Sequence, residues 1–404
     1  MPKRALIIAT LDTKPEEAIY LRNTLARSGV KSLIIDAGAL GVPGASADIT
    51  REQVARKAGH RLDELAASGD KGVVIAAMTA GLCAWVTELH TKGRIQGVIA
   101  VGGGQGTAMG TAAMQILPLG FPKVMVTTLA AGNLRPFLES QDIAVFPSLA
   151  DMLGMNRVLE QTLGNAANAL AGMMAHRPIQ TPPRTHCLGI TAFGVVTRGL
   201  MKLRLLLDSP HMELVFFHAN GAGGAAMESL ARQGRFDALV DWTTHELMDQ
   251  VAGGIFAARE DRLDILAEQR IPCLVSAGAV DYACMGPHQN MPSNWQKRNF
   301  IVHNRNITLV RATAEEMGAA AKLLAAKLNR ALGPVKVMIP LGGFSEPNAP
   351  GGQFYDPVAD TRFIQTLENT LSPTVELIKL PHHINDDAFI EEAARELRSL
   401  LRSP

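Results

Sequence analysis

Four glycines fall within six residues at Gly102-Gly103-Gly104-Gln105-Gly106-Thr107, directly after the apolar run GVIAV at 97–101. Such a turn lets a backbone come close to a ligand. A helix opening there offers unbonded N–H groups and the positive end of its dipole. Thr107 adds a hydroxyl donor. The chemistry this suits is anion binding, with phosphate the first candidate. The competing reading is a tight packing turn, for which one glycine would do. No Gly-Lys-Ser/Thr occurs, and the loop is out of register with G-x-G-x-x-G, so a P-loop mode is excluded.

Three further turns can join it. Thr10-Leu11-Asp12-Thr13-Lys14 carries a carboxylate, two hydroxyls and an ammonium that can pair with phosphate. Asp12 suits a helix N-cap equally well. Asp36 closes the run LIID, where dinucleotide folds place an acidic acceptor for ribose hydroxyls. The turn at 127–133 adds Thr128 and the flexible Gly132. The expected cofactor site is therefore Asp12, Thr13, Lys14, Asp36, Gly103, Gly104, Gly106, Thr107, Thr128 and Gly132.

The second half has its own set. His218 precedes Gly221, Gly223 and Gly224. Gly221, Gly223 and Ala226 fit a loose G-x-G-x-x-A, with Asp241 twenty residues on. Thr243, Thr244 and Glu246 follow the next apolar run, Asp281 and Ser345 follow two more, and His383 follows the last. His218, Asp241, Glu246, Asp281 and His383 are the candidate acid–base or metal-binding residues. Gly221, Gly223, Gly224, Thr243, Thr244 and Ser345 are the candidate substrate contacts. The plainer alternative is that Asn385 and Asp386 cap the last helix and the histidines pack. No H-E-x-x-H, G-x-S-x-G or paired Cys/His spacing is present.

These turns need elements to hold them. Apolar runs at 5–10, 31–36, 72–77, 97–101 and 123–128 alternate with helical stretches at 15–28, 50–67, 80–91, 105–116 and 151–174. Continuous Val/Ile/Leu strands alternating with helices predict a parallel sheet covered on both faces. Residues 175–185 hold three prolines and no periodicity, and mark a boundary. Strands then recur at 187–191, 213–218, 237–241, 272–276, 307–311, 335–340 and 374–379. Helices recur at 197–208, 223–233, 259–269, 313–331, 358–370 and 386–402, the one at 313–331 capped by Thr313 and Glu316. Residues 281–300 read as a long surface loop. The expectation is an α/β protein of two doubly wound, Rossmann-like subdomains with mainly parallel sheets. Residues 1–178 form the nucleotide-binding subdomain, and 185–404 the one with a second ligand site.

Composition narrows the class. The 404 residues are 47% hydrophobic and carry a formal charge of +1, which is a globular balance with no basic arm. Aromatics at 5% argue against base stacking, so nucleic acid is not an expected partner. No long apolar run reads as a membrane span, and the four cysteines form no C-x-x-C pair. A soluble, cytoplasmic protein is expected.

The segments TLDTK at 10–14, GGGQGTA, HANGAGG, DWTTHEL, VHNRNITLVR at 302–311, PGGQFYDP at 350–357 and HHIND at 382–386 together resemble the Tm-one-like ATP-binding domain family, nearly end to end. Its bacterial members are stand-alone proteins, and its plant member carries the region at the front of an antiviral protein. The resemblance implies two α/β subdomains, ATP with Mg²⁺ as its companion ion, and a homodimer. At 128–133 this chain has TLAAGN and lacks the serine and carboxylate usual in relatives, which weakens phosphate or metal contacts there. Two functions follow as alternatives. One is an ATP-binding enzyme acting on a small anionic metabolite in a cleft between the subdomains. The other is a non-catalytic ATP-binding regulatory or protein-interaction module.

Overall fold

The structure, a computed structural model, describes residues 3–130, 132, 134–138, 141–176 and 184–402. The chain divides into two compact units, Met1–Thr181 and Pro182–Pro404. Much of the boundary segment 175–185 lies outside the described residues, as do Ala131 and Asn133 of the turn at 127–133.

In the first unit, β1 (Arg4–Ala9), β2 (Lys31–Asp36), β3 (Gly97–Gly102), β4 (Lys123–Thr127) and β5 (Ala144–Pro147) pair in parallel in the order β2-β1-β3-β4-β5. Every residue of β3 is buried, because helices cover both faces. Alternate residues feed two cores. Leu6, Ile8, Val98 and Ala100 pack on one face, and Ala5, Ile7, Ile99 and Val101 on the other. Each larger side chain so buried stabilises the unit by about 1.5–3 kcal/mol. The strand order reverses between β1 and β3. The helices that follow these two strands pack on opposite faces and leave a crevice at the strand ends, the place where open α/β sheets bind ligands.

The second unit repeats the plan. β6 (His186–Ala192), β7 (Met212–His218), β8 (Ala238–Thr243), β9 (Cys273–Gly278), β13 (Val335–Pro340) and β14 (Glu376–Leu380) pair in parallel in the order β14-β13-β9-β8-β6-β7. A small antiparallel sheet, β10 (Tyr282–Met285), β12 (Ile307–Arg311) and β11 (Phe300–Asn304), stands beside it in that order. The architecture is two α/β units with mainly parallel sheets, as expected.

Several elements differ from the sequence reading. Residues 72–77 are not a strand. They open one helix, Lys71–Thr91, capped by Asp70, which accepts from the backbone N–H groups of Gly72 and Val73. This helix is long and apolar enough to cross a membrane by composition, contrary to the expectation that no such stretch exists. Here it packs on the sheet through Val74, Met78, Leu82 and Val86, and a Cβ on Gly81 would overlap the Val54 carbonyl. The helix expected over 50–67 is two, Arg51–Lys57 and Leu62–Ala67, because Gly59 turns the chain at φ +82°. Only Ile265–Glu268 is helical within 259–269. Residues 281–300 are not a plain surface loop, since Tyr282–Met285 is a buried strand. The strand at 307–311 joins the small sheet, not the large one. The cap at Thr313 and Glu316 forms as expected.

Candidate functional site

A cavity of about 360 Å³ opens at the β1/β3 crevice. Its walls come from three strand ends: Thr10, Asp12, Thr13 and Lys14 after β1, residues 38–41 after β2, and Gly103 to Gly106 after β3. The volume is within the usual range for small-molecule sites. The helix Gly104–Gln115 starts in this wall, with Gly103 as N-cap and no side chain capping it. Its first internal bond runs from the Thr107 N–H to the Gly103 carbonyl at 2.8 Å. The N–H groups of Gly104, Gln105 and Gly106 precede that bond and belong to the helix's unbonded first turn.

The four glycines separate into two kinds. A Cβ on Gly102 would lie 2.7 Å from the Gly106 Cα, and one on Gly106 would lie 3.3 Å from the Val101 carbonyl oxygen. Those two let the strand end and the helix start touch. A Cβ on Gly104 would meet nothing within 4 Å, and one on Gly103 only the Thr128 hydroxyl at 3.6 Å. Neither has a left-handed φ. Packing therefore explains Gly102 and Gly106, while neither packing nor a left-handed conformation explains Gly103 and Gly104.

The other predicted cofactor residues take varied positions. The Asp12 carboxylate is not a helix cap. Its Oδ2 accepts from the N–H groups of Leu40 and Gly41 at 3.4 and 3.2 Å and lies 3.7 Å from Arg51. Thr13 shares a 2.7 Å hydroxyl bond with Thr10, and the Lys14 ammonium donates to the Met152 carbonyl. Asp36 does not line the cavity. It is buried, accepting from Arg51 Nε at 2.7 Å and from the N–H groups of Leu11 and Gly38 at 3.0 and 2.9 Å. Its work is to pin the 38–41 wall from behind. Thr107 is also turned inward, bonded to the Gly103 carbonyl at 2.7 Å and the Thr127 hydroxyl at 2.6 Å. Thr128 and Gly132 lie on an exposed turn next to the glycine loop and outside the cavity lining.

In the second unit the proposed anion turn is already filled by the protein. Glu246 Oε1 accepts from the Gly221 N–H at 2.7 Å and the Gly224 N–H at 3.3 Å, so a carboxylate of the chain sits where an anion would. Here the glycines are needed for packing. A Cβ on Gly223 would overlap the His218 carbonyl, and one on Gly224 would overlap Glu246 and Arg262. Arg262 lies at the centre. It pairs at 2.8 Å with each of Glu228, Asp241 and Glu246, all fully buried. Burial pushes the Asp241 and Glu228 carboxyls up. Burial works against the Arg262 charge too, but Asp241, Glu246 and Glu228 outweigh it and hold its pKa well above the usual value. This network ties strand ends to helices, and Asp241 and Glu246 serve it.

The remaining members form separate groups. Asp281 accepts from the Ser345 hydroxyl at 2.7 Å, and burial raises its pKa. His383 has both ring nitrogens committed. Nδ1 accepts from the Asn385 N–H at 3.1 Å, so Nε2 carries the proton and donates to the Ser345 carbonyl at 2.8 Å. That leaves no ring atom for proton transfer. His218 is exposed and stacks on Phe193 with ring centres 5.1 Å apart. Thr243 and Thr244 are buried at the end of β8, and their hydroxyls have no hydrogen-bond partner among the described residues. Asn385 does not cap the last helix but accepts from the Gly199 N–H at 3.0 Å. A cavity of about 530 Å³ does open in this unit, with Arg198, Glu346, His383 and Asp386 in its lining.

Sequence reasoning missed residues 38–41, Arg51, Arg198 and Arg262. The first had a usable signal, since two glycines in AGALG follow a strand end. The three arginines had none, because their partners lie 15 to 187 residues away.

Residues 3–178 match the N-terminal domain of an Uncharacterised protein family (UPF0261), and residues 185–401 match that family's C-terminal domain. A UPF0261 protein of Clostridium tetani is 35% identical over 402 residues, covering 99% of this chain and 100% of that protein. UPF0261 protein RA0729 of Rhizobium meliloti is 38% identical, covering 98% of this chain and 99% of its own. The ToMV resistance protein Tm-1(GCR237) of Solanum lycopersicum is 37% identical over 328 residues, which is 79% of this chain but 43% of the tomato protein. With both domains matched in order and full-length relatives at this identity, the chain belongs to the UPF0261 family and has the Tm-1 proteins among its homologues.

Proposed function

We propose that the first unit binds the phosphates of a nucleotide, ATP with Mg²⁺, in the β1/β3 cavity. One observation carries this reading. Gly103 and Gly104 stand at the cavity wall where a Cβ would meet nothing of the protein at Gly104 and only an ordinary contact at Gly103, and neither has a left-handed φ that requires glycine. Glycine there serves close approach of something other than the protein. The helix start supplies N–H donors to phosphate oxygens. Asp12 is the carboxylate in the lining, so a cation travelling with the phosphates has its partner there. Calorimetry with ATP and Mg²⁺ tests the proposal, with one nucleotide bound per chain as the expected result.

For the second unit we propose a small anionic ligand in the cavity that Arg198 lines, with the protein acting on it as an enzyme. One observation favours the non-catalytic alternative: His383 and Glu246 have their polar atoms committed to the fold. Release of phosphate from ATP in the presence of a carboxylate and sugar-phosphate library separates the two. The proposal includes a cytoplasmic homodimer, with four free cysteines in keeping with a reducing compartment.

A further inference from the structure

The second unit carries a buried trio that neither cavity includes. His245 and Asp249 lie one turn apart on the helix His245–Ala252, and Cys284 faces them from β10. One ligating atom from each lies within 4.8 Å of the others, and all three residues are buried.

The tautomer of His245 follows from its partners. Nδ1 is 3.0 Å from the Ala279 carbonyl oxygen, which can only accept, so Nδ1 carries the hydrogen. In the neutral ring Nε2 is then a bare lone pair. It is fully buried, has no hydrogen-bond partner among the described residues, and lies 3.5 Å from Asp249 Oδ1. With Asp249 ionised, two acceptors face each other across a gap that suits a cation. A tetrahedral zinc-class ion, with bonds of about 2.0–2.2 Å to nitrogen and oxygen, spaces two such ligands about 3.4 Å apart. An imidazole whose far nitrogen donates to a backbone carbonyl is also the usual arrangement of a metal-bound histidine.

The surroundings hold the three groups in place. The imidazole stacks on Phe193 at 4.6 Å and tilts against Tyr282 at 5.1 Å. Asp249 accepts from the backbone N–H groups of Cys284 and Phe256 at 2.8 Å each, which leaves each oxygen a further lone pair. Ala279 adopts a left-handed φ of +56°, a costly conformation for a residue with a Cβ, and presents the carbonyl that fixes the ring. Charge also balances. A thiolate and a carboxylate neutralise a divalent ion, whereas a lone carboxylate in this apolar setting is costly.

We propose that His245, Asp249 and Cys284 bind one divalent transition ion of the zinc class. On binding, a sulfur–metal bond replaces the Cys284 S–H bond and the proton passes to buffer, so affinity rises with pH. The site lies within the second unit and is independent of the nucleotide reading.

The test is titration of the chelator-treated full chain with Co²⁺. The expected result is one ion per chain, a thiolate-to-cobalt charge-transfer band in the near ultraviolet, and a higher melting temperature with Zn²⁺. Cys284→Ser should abolish the band, while Cys83→Ser and Cys187→Ser keep it. Asp249→Asn retains all cysteines and should weaken cobalt binding at least about tenfold, which decides the matter if Cys284→Ser fails to fold. No band in the wild type, a band that survives Cys284→Ser, or unchanged affinity in Asp249→Asn would each overturn the site.

Discussion

Replacing Gly104 separates the two explanations of the glycine loop. Its added Cβ meets nothing of the protein within 4 Å. Gly104→Ala should therefore fold normally. Ala at a helical position is favoured over Gly by up to about 1 kcal/mol, so its melting temperature should hold or rise slightly. Gly104 lines the cavity, so on the phosphate reading the same methyl keeps a phosphate from the first-turn N–H groups. A hydrogen bond to a charged group is worth about 1.5–3 kcal/mol, so losing one weakens ATP binding roughly 10- to 150-fold. Gly104→Val, with a bulkier side chain, should abolish measurable binding. Gly102→Ala is the control, because its Cβ would lie 2.7 Å from the Gly106 backbone and should cost stability. Calorimetry gives affinity, and scanning calorimetry gives stability, for all three. If Gly104→Ala binds ATP as the wild type does while remaining folded, close approach at this loop is refuted and the turn is merely permissive.

Further outcomes follow from the buried charges. Arg262→Met strands three buried carboxylates and should lose about 3–5 kcal/mol of stability in urea unfolding with ATP affinity unchanged; a neutral effect would deny the network its structural role. Asp360 is pushed up by burial from 3.8 to about 6, despite Arg311 beside it. Its folded form holds the proton more tightly than the unfolded chain, so its stabilising contribution is complete below the unfolded value and is lost as pH rises through about 6. The loss is about 3 kcal/mol, and the stability–pH curve of Asp360→Asn should be flatter by that amount over this range; parallel curves would contradict it. If the proposed homodimer forms, light scattering should show twice the 43.2 kDa chain mass, independent of dilution.

Much of the fold was legible because its central strands are buried on both faces and so read as unbroken apolar runs. GVIAV and ALVD needed no context. GVVIAA at 72–77 misled because a short β-branched run looks the same in a strand and in a buried helix. Length decides, and here the helix continues to Thr91. YACM at 282–285 was hidden by its brevity and the prolines after it, and β11 by its exposed end with the polar His303 and Asn304. At the site, the glycine loop was visible because four glycines exceed what a turn needs. The second glycine turn looked equivalent in sequence. Its difference lies in Glu246, a carboxylate from 22 to 25 residues downstream that occupies the turn, and nothing local announces that. His383 read as a catalytic base because its type and strand-end position suit one. The two bonds that fix its ring are tertiary.

The most direct measurement is a crystal structure of the full chain grown with Mg²⁺ and a non-hydrolysable ATP analogue. The account predicts phosphate oxygens within hydrogen-bond distance of the Gly104, Gln105 and Gly106 N–H groups, in the cavity bounded by Asp12 and residues 38–41. A nucleotide bound elsewhere on the chain, or crystals without nucleotide at saturating concentration, would contradict it.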